Sequence, residues 1–348
     1  MYKTRPLSRY LSHCTVDHLL GIGKVAELEE KVRAYYKVKY ALTVSNATTG
    51  LLAVSSALGL KGSSVISSPL TFGGSIAGLL LLGSKIVFAD VDRHHTLSPA
   101  AVERVLADGD GDVRAILGID IFGNPSDAVG LRRIADRHGL FFIGDCAQSF
   151  GAARGGAPAS STADAVVVSF GNRKTLSAGD GGVVVTNSRE IYERLLALTQ
   201  HPLRQKRELG LASSNEFGLN ARINPLSAIC ANELFDASLT ELSLRRTRYL
   251  EAVSLLNDSG LIKPIRALPQ NGRSAYFCLP IEPRSGVNLR RVTAVLSSKG
   301  IAADIGPLPV SLIYNDPSFR ETYRNQFTVP QPCPNAERSA RCLALTLR

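Results

Sequence analysis

Lys174 has the sequence setting that best suits covalent chemistry. It follows the apolar, β-branched run AVVVSF at 165–170 and precedes the glycine-rich turn AGDGG at 178–182. A lysine in such a place is commonly a solvated loop residue. Partial burial of the ammonium would instead lower its pKa and leave the amine able to form a Schiff base with an aldehyde cofactor. The pattern therefore has two interpretations, a loop lysine or a nucleophilic amine.

Asp145 adds a carboxylate that the second interpretation needs. It ends the apolar run LFFIGD at 140–145, and alone it would be an ordinary residue at the end of a strand. Pyridoxal phosphate acts as an electron sink when its ring nitrogen is protonated, and a fixed carboxylate keeps that proton in place. Asp145 and Lys174 on neighbouring strand ends would therefore suit this cofactor.

Hydroxyl residues at a predicted helix start could bind a phosphate group. The segment SNATTGLLAV at 45–54 places Asn46, Thr48 and Thr49 where backbone N–H groups are free, and Ser169 adds a hydroxyl from a neighbouring strand. The same residues also suit a simple helix cap. The chain has neither a Walker A motif nor the GxGxxG fingerprint, which disfavours a dinucleotide site.

Short apolar runs alternate with helical patterns from residue 25 to Asp145. Strands are predicted at 40–45, 64–69, 85–90, 113–120 and 140–145, and helices at 25–36, 47–58, 75–83, 98–108 and 127–139. The alternation predicts an α/β fold with a mostly parallel sheet covered by helices, whose ligands bind at the carboxyl ends of the strands. Polar residues collect at those ends, namely Ser45, Asn46, Asp120 and Asp145.

The pattern changes after Asp145. Further strands are predicted at 165–170, 181–186 and 275–282, with helices at 189–200, 223–256 and 288–300 and a turn-rich boundary at 257–272. We therefore predict a large cofactor-binding domain at 1–256, on which residues 1–23 pack, and a small C-terminal α/β domain at 257–348.

Composition excludes several classes of protein. The 348 residues are 45% hydrophobic and 20% charged, which allows a sizeable core and excludes a disordered chain. No apolar run is long enough to span a bilayer and the start lacks an apolar signal core, so a cytoplasmic enzyme without a membrane partner is expected. The six cysteines form no CxxC pair, which favours free buried thiols over a metal site.

The net charge of +10 leaves two kinds of anionic partner open. No block of Lys and Arg is long enough to resemble a nucleic-acid-binding arm, and the densest stretch, PLRQKRELG at 202–210, is short and contains a proline. Spread-out positive charge suits a phosphate-bearing metabolite at least as well as a nucleic acid. We therefore expect a small-molecule substrate and no nucleic-acid partner.

Taken in order, these motifs resemble the DegT/DnrJ/EryC1/StrS family of sugar aminotransferases, which are fold-type I pyridoxal phosphate enzymes. The resemblance covers roughly 10–345. The segments that carry it are SNATTGL, SPLTFGGSIAGLLLLGSKIVFADVD, GDCAQSFGA, VVVSFGNRKTLSAGDGGVVVT and EFGLNARINPLSAICANEL. The last three are specific in combination.

The resemblance implies a role for each matching residue. Lys174 would hold pyridoxal phosphate as an internal aldimine and then move the substrate proton, Asp145 would contact the pyridine nitrogen and Gln148 would lie near the ring hydroxyl. Phe72 would stack on the ring, with core packing as its alternative. The phosphate would be bound by Thr48, Thr49, Ser169 and, from the neighbouring subunit of a homodimer, Asn220, whose alternative role is a helix cap.

The implied activity is transamination in two ping-pong half-reactions. Glutamate or glutamine would donate the amino group, and a keto group of a sugar, nucleotide-linked or a related secondary metabolite, would receive it. Family members that remove oxygen from sugars have histidine where this chain has Lys174. The segment IAADIGPLPV at 301–310 lacks the two histidines of many relatives, so elimination, dehydration or cyclisation on an unusual substrate is the alternative chemistry. A non-enzymatic regulator has no need of the Asp145, Gln148 and Lys174 set.

Overall fold

An eight-stranded sheet organises the part of the chain described by this computed structural model, residues 16–109, 112–211, 218–269 and 271–347. In chain order the strands are β1 (Tyr40–Val44), β2 (Ser64–Ser67), β3 (Leu70–Thr71), β4 (Lys85–Phe88), β5 (Val113–Ile119), β6 (Phe141–Asp145), β7 (Ala153–Arg154), β8 (Ala157–Pro158), β9 (Ala165–Ser169), β10 (Gly182–Thr186), β11 (Leu279–Ile281), β12 (Ala303–Pro307), β13 (Ser311–Leu312), β14 (Phe327–Thr328) and β15 (Leu343–Leu347). The large sheet has the order β1-β10-β9-β6-β5-β2-β4-β14.

Helices cover this sheet and connect its strands. In chain order they are α1 (Lys24–Tyr36), α2 (Ala47–Ala57), α3 (Gly73–Leu81), α4 (Pro99–Ala107), α5 (Ala128–His138), α6 (Arg189–Thr199), α7 (Pro202–Leu209), α8 (Pro225–Ser259), α9 (Leu289–Ser297), α10 (Pro317–Tyr323) and α11 (Pro334–Ser339). Short 3₁₀ turns lie at Val16–His18, Ile121–Gly123 and Ile313–Asn315. Within the described ranges, no helix is both long and apolar enough to cross a bilayer.

The predicted α/β architecture with a mostly parallel sheet is confirmed. Strands β14, β4, β2, β5, β6 and β9 pair in parallel, while β10 is antiparallel to both β9 and β1. Continuous β-branched and aliphatic runs form the central strands because both faces of the sheet are buried. The carboxyl ends of β5, β6 and β9 consequently meet at one edge.

Several parts of the chain differ from the predicted elements. Residues 202–209, for which no element was predicted, form helix α7, because Pro202 occupies its first turn, where no intrahelical N–H bond is lost, and Gly210 ends it with a φ of 63°. The predicted strand at 275–282 is shortened to Leu279–Ile281, since residues 274–277 instead bond to the 3₁₀ turn at Ile121–Gly123.

The C-terminal part forms a small sheet and also returns to the large one. Strands β11, β15 and β12 form a three-stranded antiparallel sheet, while β14 joins the edge of the large sheet beside β4 and β13 pairs with β3. Helix α8 extends through Ser259, past the predicted boundary at 256. The division into 1–256 and 257–348 stays a prediction, and residues 1–15 of the N-terminal segment lie outside the described residues.

Candidate active site

The polar residues predicted at strand ends come together at one edge of the large sheet. The Asp120 backbone N–H, just after β5, donates to the Asp145 carbonyl at 3.0 Å, and the Cys146 N–H donates to the Val167 carbonyl of β9 at 2.8 Å. Across the sheet, Ser169 pairs with Gly182, and the neighbouring Gly181 forms a bridge with Asn46 at the start of α2. The fold therefore gathers three parallel strand ends and one helix N-terminus.

Asp145 is a buried carboxylate with two hydrogen-bond donors. Its exposed fraction is 3%, Oδ2 accepts from the Ser75 hydroxyl at 2.6 Å, and Oδ1 accepts from the Ala147 N–H at 2.9 Å. Burial raises the pKa of Asp145, while these hydrogen bonds and the charge of Lys174 oppose the rise. Two donors on a buried carboxylate fix its direction.

Lys174 is half-buried on the turn that follows β9. Burial lowers the pKa of its amine, and the charge of Asp145 partly opposes this. The Lys174 Nζ lies 4.7 Å from the ring centroid of Phe277. Of the two interpretations of this residue, partial burial and the lowered pKa favour the nucleophilic amine over the solvated loop lysine.

Gln148 and Phe72 occupy different surroundings. The Gln148 Oε1 accepts from the Phe122 N–H at 2.8 Å, which fixes the side chain beside a turn where Phe122 has a φ of 60°. Phe72 precedes α3 and its exposed fraction is 62%. Core packing, the alternative for Phe72, therefore does not apply in the isolated chain, and a ring this exposed is free to contact a ligand.

The four predicted phosphate-binding residues lie around the start of α2. The Asn46 Oδ1 accepts from both the N–H and the hydroxyl of Thr49 at 2.9 Å, so Asn46 is the helix cap. Thr48 is exposed. The Ser169 Oγ accepts from the Gly171 N–H at 3.2 Å. Asn220 is exposed, and the carbonyl of the next residue, Ala221, accepts from the Ser45 N–H at 2.7 Å, so Asn220 is close to the same helix start in its own chain.

Sequence reasoning missed the residues that support this site. Ser75, which donates to Asp145, was given no role of its own within the segment SPLTFGGSIAGLLLLGSKIVFADVD. Asp120 was predicted as a polar residue at a strand end, but its hydrogen-bond network was not predicted. Its Oδ1 accepts from the N–H and hydroxyl of Ser126 at 2.8 and 2.6 Å, and its Oδ2 accepts from Ser149 at 2.9 Å. Burial raises the pKa of Asp120, and its network fixes the turn that carries Gln148.

The cysteines in the described ranges are free thiols, as predicted, and all but one of them are buried. Cys146, Cys278, Cys333 and Cys342 are free and buried, whereas Cys230 is free but exposed on helix α8. Cys14 lies outside the described residues. Burial raises the pKa of Cys146 well above its ordinary value, and its Sγ donates to Asp120 at 3.2 Å, so this thiol has a structural role beneath the site.

The residues present fit the chemical parts of pyridoxal phosphate. Asp145 offers a fixed, buried carboxylate for a pyridinium nitrogen, and Lys174 offers an amine of lowered pKa for an aldehyde. Gly74 lies near the starts of both α2 and α3. A Cβ on this residue would lie 2.7 Å from the Thr48 Oγ1, so glycine leaves space beside that hydroxyl. A helix N-terminus beside it favours an anion.

Comparison with solved structures defines the class of fold. The crystal structure of a DegT/DnrJ/EryC1/StrS aminotransferase from Brucella abortus superimposes with a TM-score of 0.79 at 25% sequence identity, covering 98% of this chain and 91% of that one. The large sheet, its helical layers and the small C-terminal sheet are thus the fold of fold-type I pyridoxal phosphate-dependent transferases, as predicted.

Comparison of sequences then identifies the family. The chain belongs to the DegT/DnrJ/EryC1/StrS aminotransferase family, whose sequence pattern it matches over residues 17–348. It is 30% identical over 217 residues to UDP-4-amino-4,6-dideoxy-N-acetyl-beta-L-altrosamine transaminase of Campylobacter jejuni and 34% identical over 193 residues to GDP-perosamine synthase of Vibrio cholerae. These alignments cover 62% and 55% of this chain and only 57% and 52% of the two relatives.

Proposed function

We propose that this protein is a pyridoxal phosphate-dependent aminotransferase that moves an amino group from an amino acid to a keto group of a sugar. The observation that carries the proposal is the pair formed by Asp145 and Lys174. A buried, doubly hydrogen-bonded carboxylate and an amine of lowered pKa meet at the carboxyl edge of a parallel sheet. Membership of an aminotransferase family supports the same conclusion.

Each residue acts through a defined atom. When bound, pyridoxal phosphate supplies an aldehyde for the substrate amine and a ring that accepts the electrons released when a carbon–hydrogen bond breaks. The carboxylate of Asp145 would hold a proton on the ring nitrogen. Lys174 would offer Nζ to the aldehyde and, as a free amine, would take and return the substrate proton. Gln148 would lie near the ring hydroxyl, and Phe72 would stack on the ring.

The phosphate would be bound at the start of α2 in this proposal. Thr48 and Ser169 would provide hydroxyl groups, Thr49 would turn its hydroxyl from Asn46 to the phosphate, and the remaining N–H groups of the helix N-terminus would provide the charge complement. In the proposed homodimer, Asn220 of the neighbouring subunit would add an amide to this site, in addition to the Asn220 that lies near the same helix start in its own chain. The exposed positions of Asn220 and Phe72 are compatible with burial against a partner.

The donor would be glutamate or glutamine, and the acceptor would be a keto sugar, nucleotide-linked or a related secondary metabolite. The names of the two relatives above describe nucleotide-sugar chemistry, which supports this acceptor class. The amino group would be transferred in two ping-pong half-reactions, one with the amino-acid donor and one with the keto sugar. A cytoplasmic location is part of the same proposal.

A second reaction type is favoured by one segment. Residues 301–310 depart from the family pattern, and the adjoining strand β13 pairs with β3 directly before Phe72. The Ile313 Cδ1 lies only 3.7 Å from where a Cβ on Gly73 would be. In this alternative, the altered segment that leads into β13 would fit a different substrate, one that undergoes elimination, dehydration or cyclisation.

The test is a visible absorption spectrum of the purified protein with pyridoxal phosphate, before and after glutamate or glutamine is added. We expect a band from the lysine-bound cofactor and its loss when the donor leaves its amine behind. The Lys174→Ala variant should keep the fold but should show neither the band nor the response to the donor. A band that no donor discharges would favour the second reaction type, and the absence of any band would refute the cofactor assignment.

A further inference from the structure

The ring of Phe277 lies beside the Lys174 amine. Its centroid lies 4.7 Å from Nζ, within the range of a cation–π contact. In the described ranges Lys174 forms no ion pair with a carboxylate. The charge of Asp145 raises the pKa of its amine, and the charge of Arg173, whose Cζ lies 5.9 Å from the same ring centroid, lowers it. The ammonium form of Lys174 is therefore held by an aromatic face.

Phe277 is held in place by contacts from distant parts of the chain. Its N–H donates to the Phe122 carbonyl at 3.1 Å, and the Ala275 N–H and the Ser274 hydroxyl donate to the Gly123 carbonyl at 2.8 and 3.0 Å. Gly123 has a φ of 85° and a Cβ there would lie 2.8 Å from the Phe277 nitrogen, so only glycine permits this approach. The segment is fixed against the same turn that binds Gln148.

Arg245 of helix α8 joins this segment to the lysine turn. Its Nη2 donates to the Ala275 carbonyl at 3.0 Å and to the hydroxyl of Thr175, the residue after Lys174, at 3.3 Å. The segments that carry the ring and the lysine are thus connected through one half-buried guanidinium as well as through direct contact. This arrangement restricts the relative motion of Phe277 and Lys174.

We propose that Phe277 is a positioning residue that holds the Lys174 amine in its charged form between successive bonds to the cofactor. The inference rests on the proposed function, since it assumes that Lys174 is the amine that bonds to pyridoxal phosphate. A ring face stabilises an ammonium less than a buried ion pair does, so the amine keeps a defined place yet releases its proton readily. The carboxylate of Asp145 thereby remains available for the ring nitrogen.

The test uses apoenzyme and measures the rate of pyridoxal phosphate capture against pH by stopped-flow absorbance. Capture requires the neutral amine, so the midpoint of the pH profile reports its protonation. Phe277→Leu keeps an apolar side chain but removes the ring, and the midpoint should fall by about half a pH unit or more. Phe277→Tyr keeps the ring face and should retain the midpoint of the parent protein.

The controls separate this inference from the proposed function. If Lys174→Ala captures the cofactor as fast as the parent protein, the proposed function fails and this inference fails with it. If Lys174→Ala loses capture but Phe277→Leu keeps the parental midpoint, only the role of Phe277 is refuted. Equal shifts in Phe277→Leu and Phe277→Tyr, both folded by circular dichroism, would indicate a packing role and would also refute it.

Discussion

The hydroxyl of Ser75 donates a hydrogen bond of 2.6 Å to Oδ2 of Asp145, which ties the first turn of helix α3 to the end of strand β6. Burial raises the pKa of this carboxylate, and the bond from Ser75 is the largest of the effects that oppose it. A carboxylate that must keep a proton on a pyridine nitrogen has to stay ionised at working pH. Ser75 therefore helps to set the acidic limit of the proposed activity.

Ser75→Ala should shift the acidic limb of kcat/KM to higher pH. Loss of a hydrogen bond to a charged group corresponds to roughly 1 to 2 pH units, and the sign is upward because the removed donor stabilises the ionised form. Ser84→Ala is a matched control, since the buried Ser84 hydroxyl donates to the Leu60 carbonyl at 2.7 Å away from the site. A pH profile that moves equally in both variants would contradict this role for Ser75.

Asp145→Asn should retain pyridoxal phosphate and lose transamination. The amide is close in size to the carboxylate but carries no charge, so it does not hold a proton on the ring nitrogen. We expect kcat to fall about 100-fold or more, with the visible band of the bound cofactor still present. Measured amine transfer at the parental rate would show that this carboxylate is not needed.

The strand ends of the site could be predicted from the sequence because they follow from local patterns. Apolar β-branched runs specify buried parallel strands, and Asp145 and the lysine turn come directly after two of them. The helix cap at Asn46 is similarly local, since an Asn at the end of one apolar run and before the next helical pattern is a common N-terminus. These positions need no knowledge of distant contacts.

The supporting residues could not be predicted because they depend on how distant elements dock. Ser75 lies on a helix whose sequence only requires it to be small, and its bond to Asp145 exists because α3 packs against the sheet. Phe277 looks like a strand residue in its own sequence, yet the Gly123 turn captures its backbone. Helix α7 was not predicted because PLRQKREL has only two leucines and therefore no apolar helical period, although a proline in the first turn is typical of a helix start.

Gly123→Ala should destabilise the protein and disturb the lysine site. The new Cβ would lie 2.8 Å from the backbone nitrogens of Tyr276 and Phe277, where neither neighbour can rotate away, and the φ of 85° adds strain. We expect a loss of roughly 2 kcal/mol or more in the free energy of unfolding. Gly155→Ala is the matched control, since its φ of 60° gives similar strain with nothing within 4 Å of the Cβ. Equal losses in urea unfolding would contradict the clash.

The ion pair of Glu208 with Arg204 makes the free energy of unfolding depend on pH. The buried Arg204 donates to Glu208 at 2.9 Å and to both oxygens of Glu29, at 3.0 and 2.8 Å. Burial alone would raise the pKa of Glu208, but Arg204 and the Tyr192 hydroxyl outweigh it, and the net pKa is lowered. A carboxylate with a lowered folded pKa stabilises the folded state above its unfolded pKa, and this contribution is lost as pH falls through the folded value.

The free energy of unfolding should therefore decrease as the pH falls below about 4, near the unfolded pKa of a glutamate. Glu208→Gln should flatten this part of the profile, because the amide does not titrate. Arg204→Met should lower the stability at neutral pH by about 3 to 5 kcal/mol, since it leaves Glu29 buried without its cation. Urea unfolding followed by circular dichroism measures both effects. An Arg204→Met protein as stable as the parent would show that the charge of Glu29 is screened by solvent rather than buried. The same acid slope in Glu208→Gln would assign the dependence to other carboxylates.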